Sequence, residues 1–189
     1  MRNHYGIIEY THHFIRQHVK EGDICMDATA GNGHDALFLC ELVGDKGKVI
    51  AMDIQEMAVN HTKMLLKENS FEENTKVILD SHEHIGKYAN KESVSCIVFN
   101  LGYLPGGNHA LATKAKSTIL AMEASLKLLK KNGLLSVTIY SGGDSGFEEK
   151  NAVLEWMRKL DAKKYLVIVS EYYNRPNHPP IPVQIIRLK

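Results

Sequence analysis

Two periods alternate along the chain. Segments with an apolar residue every three or four positions trade places with short unbroken apolar runs, so helices and buried strands are expected in turn. Tyr10–Val19 predicts a short amphipathic helix with Phe14, Ile15 and Val19 on one side. Asp23–Asp27 predicts a short buried strand, and the turn at Gly31–Gly33 opens a helix through Leu37, Phe38 and Leu42 that ends at Gly44. Lys48–Asp53 is a second strand. Glu56–Asn69 is a helix with Met57, His61, Met64 and Leu65 at helical spacing, and Lys76–Leu79 is a third strand. Ser95–Asn100 is nearly all apolar, as a strand covered on both faces should be. Ala115–Lys131 carries Ile119, Met122, Leu126 and Leu129 on one stripe and predicts a long helix stopping at Asn132-Gly133. Leu134–Tyr140 is the fifth strand and Glu148–Leu160 the last helix. Leu166–Tyr172 and Val183–Leu188 close the chain as two strands.

Repeated strand–helix–strand units imply a parallel α/β sheet with right-handed crossovers. The last two strands have only a loop between them, so they should pair antiparallel. A seven-stranded, doubly wound sheet finished by an antiparallel C-terminal hairpin resembles the class I (Rossmann-like) S-adenosylmethionine-dependent methyltransferases more than the dinucleotide dehydrogenases. With 189 residues, one domain over 1–189 is expected.

Composition narrows the picture. Apolar residues make up 44% and charged residues 24%, which excludes a disordered chain or a collagen. Lys plus Arg is 23 against 22 for Asp plus Glu, so any nucleic-acid contact must come from a local patch and a shaped pocket. Ten histidines should raise the charge as pH falls through neutrality. Cys25, Cys40 and Cys96 are odd in number and widely spaced, and read as buried reduced thiols. No apolar run approaches the roughly 20 residues that cross a bilayer, and MRNHYGIIEYTHH lacks a secretory h-region. The expectation is a cytoplasmic protein without membrane contact.

The first chemical motif is Asp27-Ala-Thr29-Ala-Gly31-Asn32-Gly33-His-Asp35-Ala36, after the first strand and opening a helix. Its glycines allow a sharp turn and close approach of a ligand, matching G-x-G-x-x-A. Asp53 ends the second strand twenty residues after Gly33 and can accept hydrogen bonds from both hydroxyls of a ribose. Asp27 and Asp35 bracket the turn. Carboxylates there suit the methionine ammonium of S-adenosylmethionine and would repel the pyrophosphate of NAD. Asp80-Ser81-His82 follows the third strand, where the adenine would sit. A metal is not expected, because the spacing of His82-Glu83-His84 places no third ligand.

The second motif, Asn100-Leu-Gly102-Tyr103-Leu104-Pro-Gly106-Gly107, follows the fourth strand. This is the position of the Asn/Asp-Pro-Pro-Tyr motif of many amino-group methyltransferases. Methyl transfer is an in-line displacement, so the nucleophile's lone pair must be held close and aligned. An Asn carbonyl oxygen can accept from an amine and aim it. Tyr103 can stack on a base. A strand-end Asn capping its own loop is the plainer reading.

DATAGNGHD, AMDIQ, HEHI and FNLGYLPGG together closely resemble the bacterial YtqB-like proteins, long labelled rRNA methylases and understood as the MnmM family of tRNA methyltransferases. The resemblance runs over essentially the whole chain. It implies S-adenosylmethionine as cofactor and N-methylation of 5-aminomethyl-(2-thio)uridine at the tRNA wobble position. It also implies an anticodon stem-loop as partner, and a homodimer. By motif, Asp27, Thr29, Gly31, Asn32, Gly33, Asp35, Asp53, Gln55, Ser81 and His82 would hold the cofactor, and Asn100, Gly102 and Tyr103 the amine. Tyr140-Ser-Gly142-Gly143 departs from the family pattern, in which a His often follows the first Gly, so no role for that His carries over.

A primary alkylamine titrates near about 10 in water, and recovering its neutral form at pH 7 costs about 4 kcal/mol. Burial in an uncharged pocket and the nearby sulfonium would lower that value, so no strong general base is required. RNA contacts are expected from Leu104, Gly106, Gly107, Asn108, His109, Lys114, Lys116 and Tyr140, and from Tyr173, Arg175, Asn177 and His178 in the final loop. That loop should share the rim of the site. His12-His13 reads either as a cover over the cofactor or as surface. Alternatives on the same residues are a methyltransferase acting on rRNA or a small-molecule amine, a non-catalytic binding module, and an NAD-dependent oxidoreductase.

Overall fold

The computed structural model describes residues 6–102, 113–140 and 144–189, apart from the side chains of 144–146. In chain order the elements are α1 (Ile7–His18), β1 (Ile24–Asp27), α2 (His34–Val43), β2 (Lys48–Asp53), α3 (Glu56–Glu68) and β3 (Thr75–Leu79). A short 3-10 helix over His82–Lys87 follows, then β4 (Val94–Leu101), α4 (Ala115–Leu128), β5 (Leu129–Ile139), α5 (Asp144–Arg158), β6 (Tyr165–Val169) and β7 (Ile181–Arg187).

The strands form one sheet in the order β3-β2-β1-β4-β5-β7-β6. The first five are parallel, while β7 runs antiparallel to both β5 and β6. This is the expected doubly wound sheet with its antiparallel ending. Alternation along each strand feeds two cores. Cys25, Val49, Ala51, Cys96 and Val98 face one, with Ile15 of α1, Leu39 of α2 and Leu66 of α3. Met26, Met52, Ile97, Phe99 and Val137 face the other, with Met122 and Leu126 of α4 and Met157 of α5. The three cysteines are buried and free, and burial pushes their thiols up.

Several boundaries differ from expectation; the first helix, for one, starts at Ile7 rather than Tyr10. The helix predicted to reach Lys131 ends at Leu128, because Glu92 N–H and Ser93 N–H take the carbonyls of Lys127 and Leu128. The chain turns into the sheet at Leu129, which is fully buried opposite Val94. Asn132 at φ 62° and the following Gly133 mark a bulge inside β5, where the register jumps from Val94↔Leu129 to Cys96↔Leu134. The strand expected over Leu166–Tyr172 ends at Val169, with a final hydrogen bond from Ser170 N–H to Pro182 O. The last helix begins four residues earlier than expected, at Asp144 rather than Glu148.

Gly33 caps α2 in the left-handed region at φ 83°, and a Cβ there would lie 2.9 Å from the Thr62 Cα on α3. Gly33 therefore meets a conformational and a steric demand together. Gly33→Ala is expected to lose about 2 kcal/mol of stability. A urea melt would show this as a lower midpoint at unchanged slope.

Candidate active site

The chain leaves β1 toward β2 and β3 but leaves β4 toward β5, so the strand order reverses between β1 and β4. In a doubly wound sheet a crevice opens at the carboxyl ends of such a pair. A cavity of about 560 Å³ lies there, walled by Ala28–Asn32, Asp53–Gln55, Asp80–Glu83 and Asn100–Gly102, with Ile8, Thr113 and Tyr140 at its edge. Its volume is in the range of small-molecule sites.

Asp53 is fixed by backbone. Gly31 N–H donates to its Oδ2 at 3.0 Å and Gln55 N–H to its Oδ1 at 2.9 Å. Each oxygen keeps a lone pair for a ligand donor, since a carboxylate offers about four acceptor sites. Asp80 accepts from Tyr88 Oη at 2.5 Å and lies 2.7 Å from His84 Nδ1. Those hydrogen bonds pull its carboxyl down to about 2. Ser81 caps the short 3-10 helix by accepting from Glu83 N–H. His82 is buried edge-on to Phe99, its Nε2 has no partner among the described residues, and burial pulls its pKa down.

Asp27 ends β1 beneath the Gly turn and is fully buried. Its Oδ1 accepts from Thr29 N–H at 3.1 Å, but its Oδ2 has no partner among the described residues. Burial first, then the charges of Asp35 and Asp53, hold its pKa well above the carboxylate range. A cation beside this group would favour its ionised form against burial and the neighbouring carboxylates.

The reactive strand end is tied to the Gly turn at two points. Asn100 N–H donates to Thr29 Oγ1 at 2.7 Å, and Asn100 Nδ2 donates to Asp35 Oδ2 at 2.7 Å. Asp35 Oδ1 meets His12 Nε2 of α1 at 2.6 Å. Burial raises the Asp35 carboxyl, but the His12 and Asn100 contacts outweigh it and hold the group below its ordinary value. The expectation of an uncharged pocket is therefore wrong, because an ionised carboxylate sits directly behind Asn100. On the far side, Gly102 N–H donates to Thr113 Oγ1 and Thr113 N–H to Gly102 O. Buried Glu149 of α5 accepts from both Thr113 and Thr118.

The structure brings Thr29, Gly31, Asn32, Asp35, Asp53, Gln55, Ser81, His82, Asn100, Gly102 and Tyr140 to one cavity. Asp27 and Gly33 lie under it, buried. Arg175 and His178 are exposed and do not line it. The pairing Ile139↔Ile181 nevertheless puts their loop at the carboxyl end of β5, on the same rim, where His178 meets Phe147 edge-on. Tyr103, Leu104, Gly106, Gly107, Asn108 and His109 lie outside the described residues. The Thr113–Glu149 clamp was invisible in the sequence, since nothing in its spacing marks two residues 36 apart as partners.

Comparison with known proteins gives a consistent picture. A family model described as "Putative rRNA methylase" matches residues 49–186. An Arabidopsis thaliana protein named tRNA (mnm(5)s(2)U34)-methyltransferase, chloroplastic, is 34% identical over 180 residues; these make up 90% of this chain and 66% of that protein. A Clostridium thermocellum crystal structure described as a "putative rRNA-methylase" superposes with a TM-score of 0.94 at 40% identity, covering 97% of this chain and 98% of that one. A "putative methyltransferase" from Streptococcus mutans, solved in complex with SAH, superposes with a TM-score of 0.87 at 36% identity, covering 96% and 97%.

Asp27 gives a pH-dependent expectation. Its folded pKa is raised above the unfolded value, so ionisation costs the fold stability. That cost is absent below about pH 3.9 and grows as pH rises through the folded value. Asn keeps the acceptor for Thr29 and removes the charge. In calorimetry without ligand, Asp27→Asn should melt about 2–4 °C above the parent at pH 7.5. The gap should close toward pH 4. An unchanged gap across this range would show that Asp27 carries no such burden.

Proposed function

The chain belongs to the rRNA methylase family, and from that premise we propose that it N-methylates 5-aminomethyl-(2-thio)uridine at the tRNA wobble position, giving 5-methylaminomethyl-(2-thio)uridine. It is an S-adenosylmethionine-dependent methyltransferase. The residues present suit that cofactor. Asp53 has acceptor capacity for two ribose hydroxyls, and Asp27 is a buried carboxylate with an unpartnered oxygen. Asp35 and Asp80 add negative charge to the same wall, which favours a cationic ligand over a pyrophosphate. When bound, S-adenosylmethionine supplies a methyl group on a positively charged sulfur, open to in-line displacement by an amine.

Asn100 carries the substrate side of the reading. Asp35 is an ionised acceptor, so the atom facing it must be the Asn100 NH₂ group. The Asn100 carbonyl oxygen remains for a substrate N–H. One amine hydrogen bonded there fixes the direction of the nitrogen lone pair. The amine must reach this position uncharged: burial and the positively charged sulfur of the bound cofactor would oppose its ammonium form against the pull of Asp35, with water taking the proton. Tyr140 is partly exposed at the cavity edge and offers a face for the base. Arg175 and His178, exposed on the shared rim, would meet the anticodon stem-loop around it. The name of the Arabidopsis relative supports tRNA as substrate, and this chain spans 66% of that protein. The family description favours rRNA as the second reading.

Nucleoside mass spectrometry decides between them. Cells lacking the protein should accumulate the unmethylated 5-aminomethyl wobble nucleoside, with rRNA unchanged. A missing rRNA methyl group and normal wobble nucleosides would favour the second reading. In the purified protein, Asn100→Ala should abolish transfer while S-adenosylmethionine binding, read by calorimetry, survives. Near-normal turnover of that variant would remove Asn100 from the site.

A further inference from the structure

His12 lies outside both motifs, yet it is joined to the site by an unbroken chain of hydrogen bonds. Its Nε2 is 2.6 Å from Asp35 Oδ1, and the other Asp35 oxygen accepts from Asn100 Nδ2 at 2.7 Å. Its ring stacks on Phe38 of α2, with centroids 3.6 Å apart and planes 2° from parallel. The side chains of His12 and Asp35 are only 14% and 21% exposed. The Phe38 ring holds the imidazole in one plane, and that plane points Nε2 at the carboxylate. Elsewhere on α1, Ile8 lines the cavity and Tyr10 Oη bonds Ser170 Oγ on the rim loop at 2.8 Å, so the helix is fastened across the site.

We infer that His12 is a positioning residue for methyl transfer: through Asp35 it locks the Asn100 side-chain amide with its carbonyl oxygen turned toward the substrate amine. The inference rests on the reading that Asn100 receives that amine. The logic is one of donors and acceptors. Asp35 can only accept, so one oxygen takes His12 N–H and the other takes Asn100 N–H. Without His12, the carboxylate rotates about its side-chain bonds and two acceptors compete for one Asn100 NH₂ group. The amide then loses its fixed direction, and an Asn turned by half a revolution presents a donor where the amine needs an acceptor. The Asp53 contacts proposed for the cofactor do not pass through His12, and Asp35 remains on the cavity wall without it, so turnover should fall far more than cofactor affinity.

The test uses the whole protein with His12→Phe and His12→Gln. Phe keeps the stack on Phe38 and removes the donor, while Gln replaces the donor at a similar reach. In methyl transfer to tRNA bearing the 5-aminomethyl nucleoside, His12→Phe should lower kcat about tenfold or more. Its S-adenosylmethionine affinity should change less than about twofold, and His12→Gln should recover most of the rate. A second readout needs no substrate. The Asn100 side-chain NH₂ signals, assigned by their loss in Asn100→Asp, should show slow hydrogen exchange in the parent and in His12→Gln, and fast exchange in His12→Phe. Equal kcat in the parent and His12→Phe, or an equal fall in the Phe and Gln variants, would overturn the inference. So would Asn100 exchange that ignores His12. A parent protein that leaves this tRNA unmethylated would overturn the substrate reading instead, and the exchange measurement would still decide the role of His12.

Discussion

Asp35 stands at the first turn of α2 with both carboxylate oxygens committed, one to His12 and one to Asn100. That pair of contacts joins three parts of the fold that are far apart in sequence: the N-terminal helix, the Gly turn after β1 and the end of β4. The sheet makes the meeting unavoidable. β1 and β4 are neighbours whose chains leave in opposite directions, so the turn after one must face the loop after the other. Thr29 adds a second tie by accepting the Asn100 backbone N–H. The walls proposed for the cofactor and for the substrate are in this way tied together. This is what an in-line displacement requires, since small misplacements of the reacting atoms cost large factors in rate.

Charge is distributed with the same economy. Asp53 is fixed by the backbone N–H groups of Gly31 and Gln55, and Asp80 by Tyr88 and His84, which pull it to about 2. Asp27 is the exception, buried with an unpartnered oxygen and held above the carboxylate range by burial and by its acidic neighbours. The protein accepts that strain at the base of the cavity, and a positively charged ligand there would offset it. The acidic wall also makes the Gly turn, despite its G-x-G-x-x-A spacing, unfavourable for a pyrophosphate.

Much of this was readable from sequence because it depends on local chemistry. Asp53 is marked by its place at a strand end after a Gly turn, and Asn100 by its place at the end of an all-apolar strand. The parallel sheet followed from the alternation of elements, and the antiparallel ending from the missing last helix. What was hidden depends on long-range contact. Asp35 looked like a partner for an ammonium group, because its bond to Asn100 spans 65 residues. His12 could be read as cover or as surface until its stacking on Phe38 was seen. Asn132-Gly133 reads as a helix stop, but the carbonyls that a longer helix would use are taken by Glu92 and Ser93, and the pair forms a bulge in β5 instead.

The central claim is that donor and acceptor meet across the β1–β4 crevice, with the ribose on Asp53 and the amine on Asn100. The most direct measurement is a crystal structure of the protein with S-adenosylhomocysteine and an anticodon-loop oligonucleotide carrying 5-aminomethyluridine. The account expects both ribose hydroxyls on Asp53 and the amine nitrogen within hydrogen-bond distance of Asn100 Oδ1, facing the sulfur. A nucleobase bound away from Asn100, or an Asn100 amide whose NH₂ group faces the amine, would contradict it.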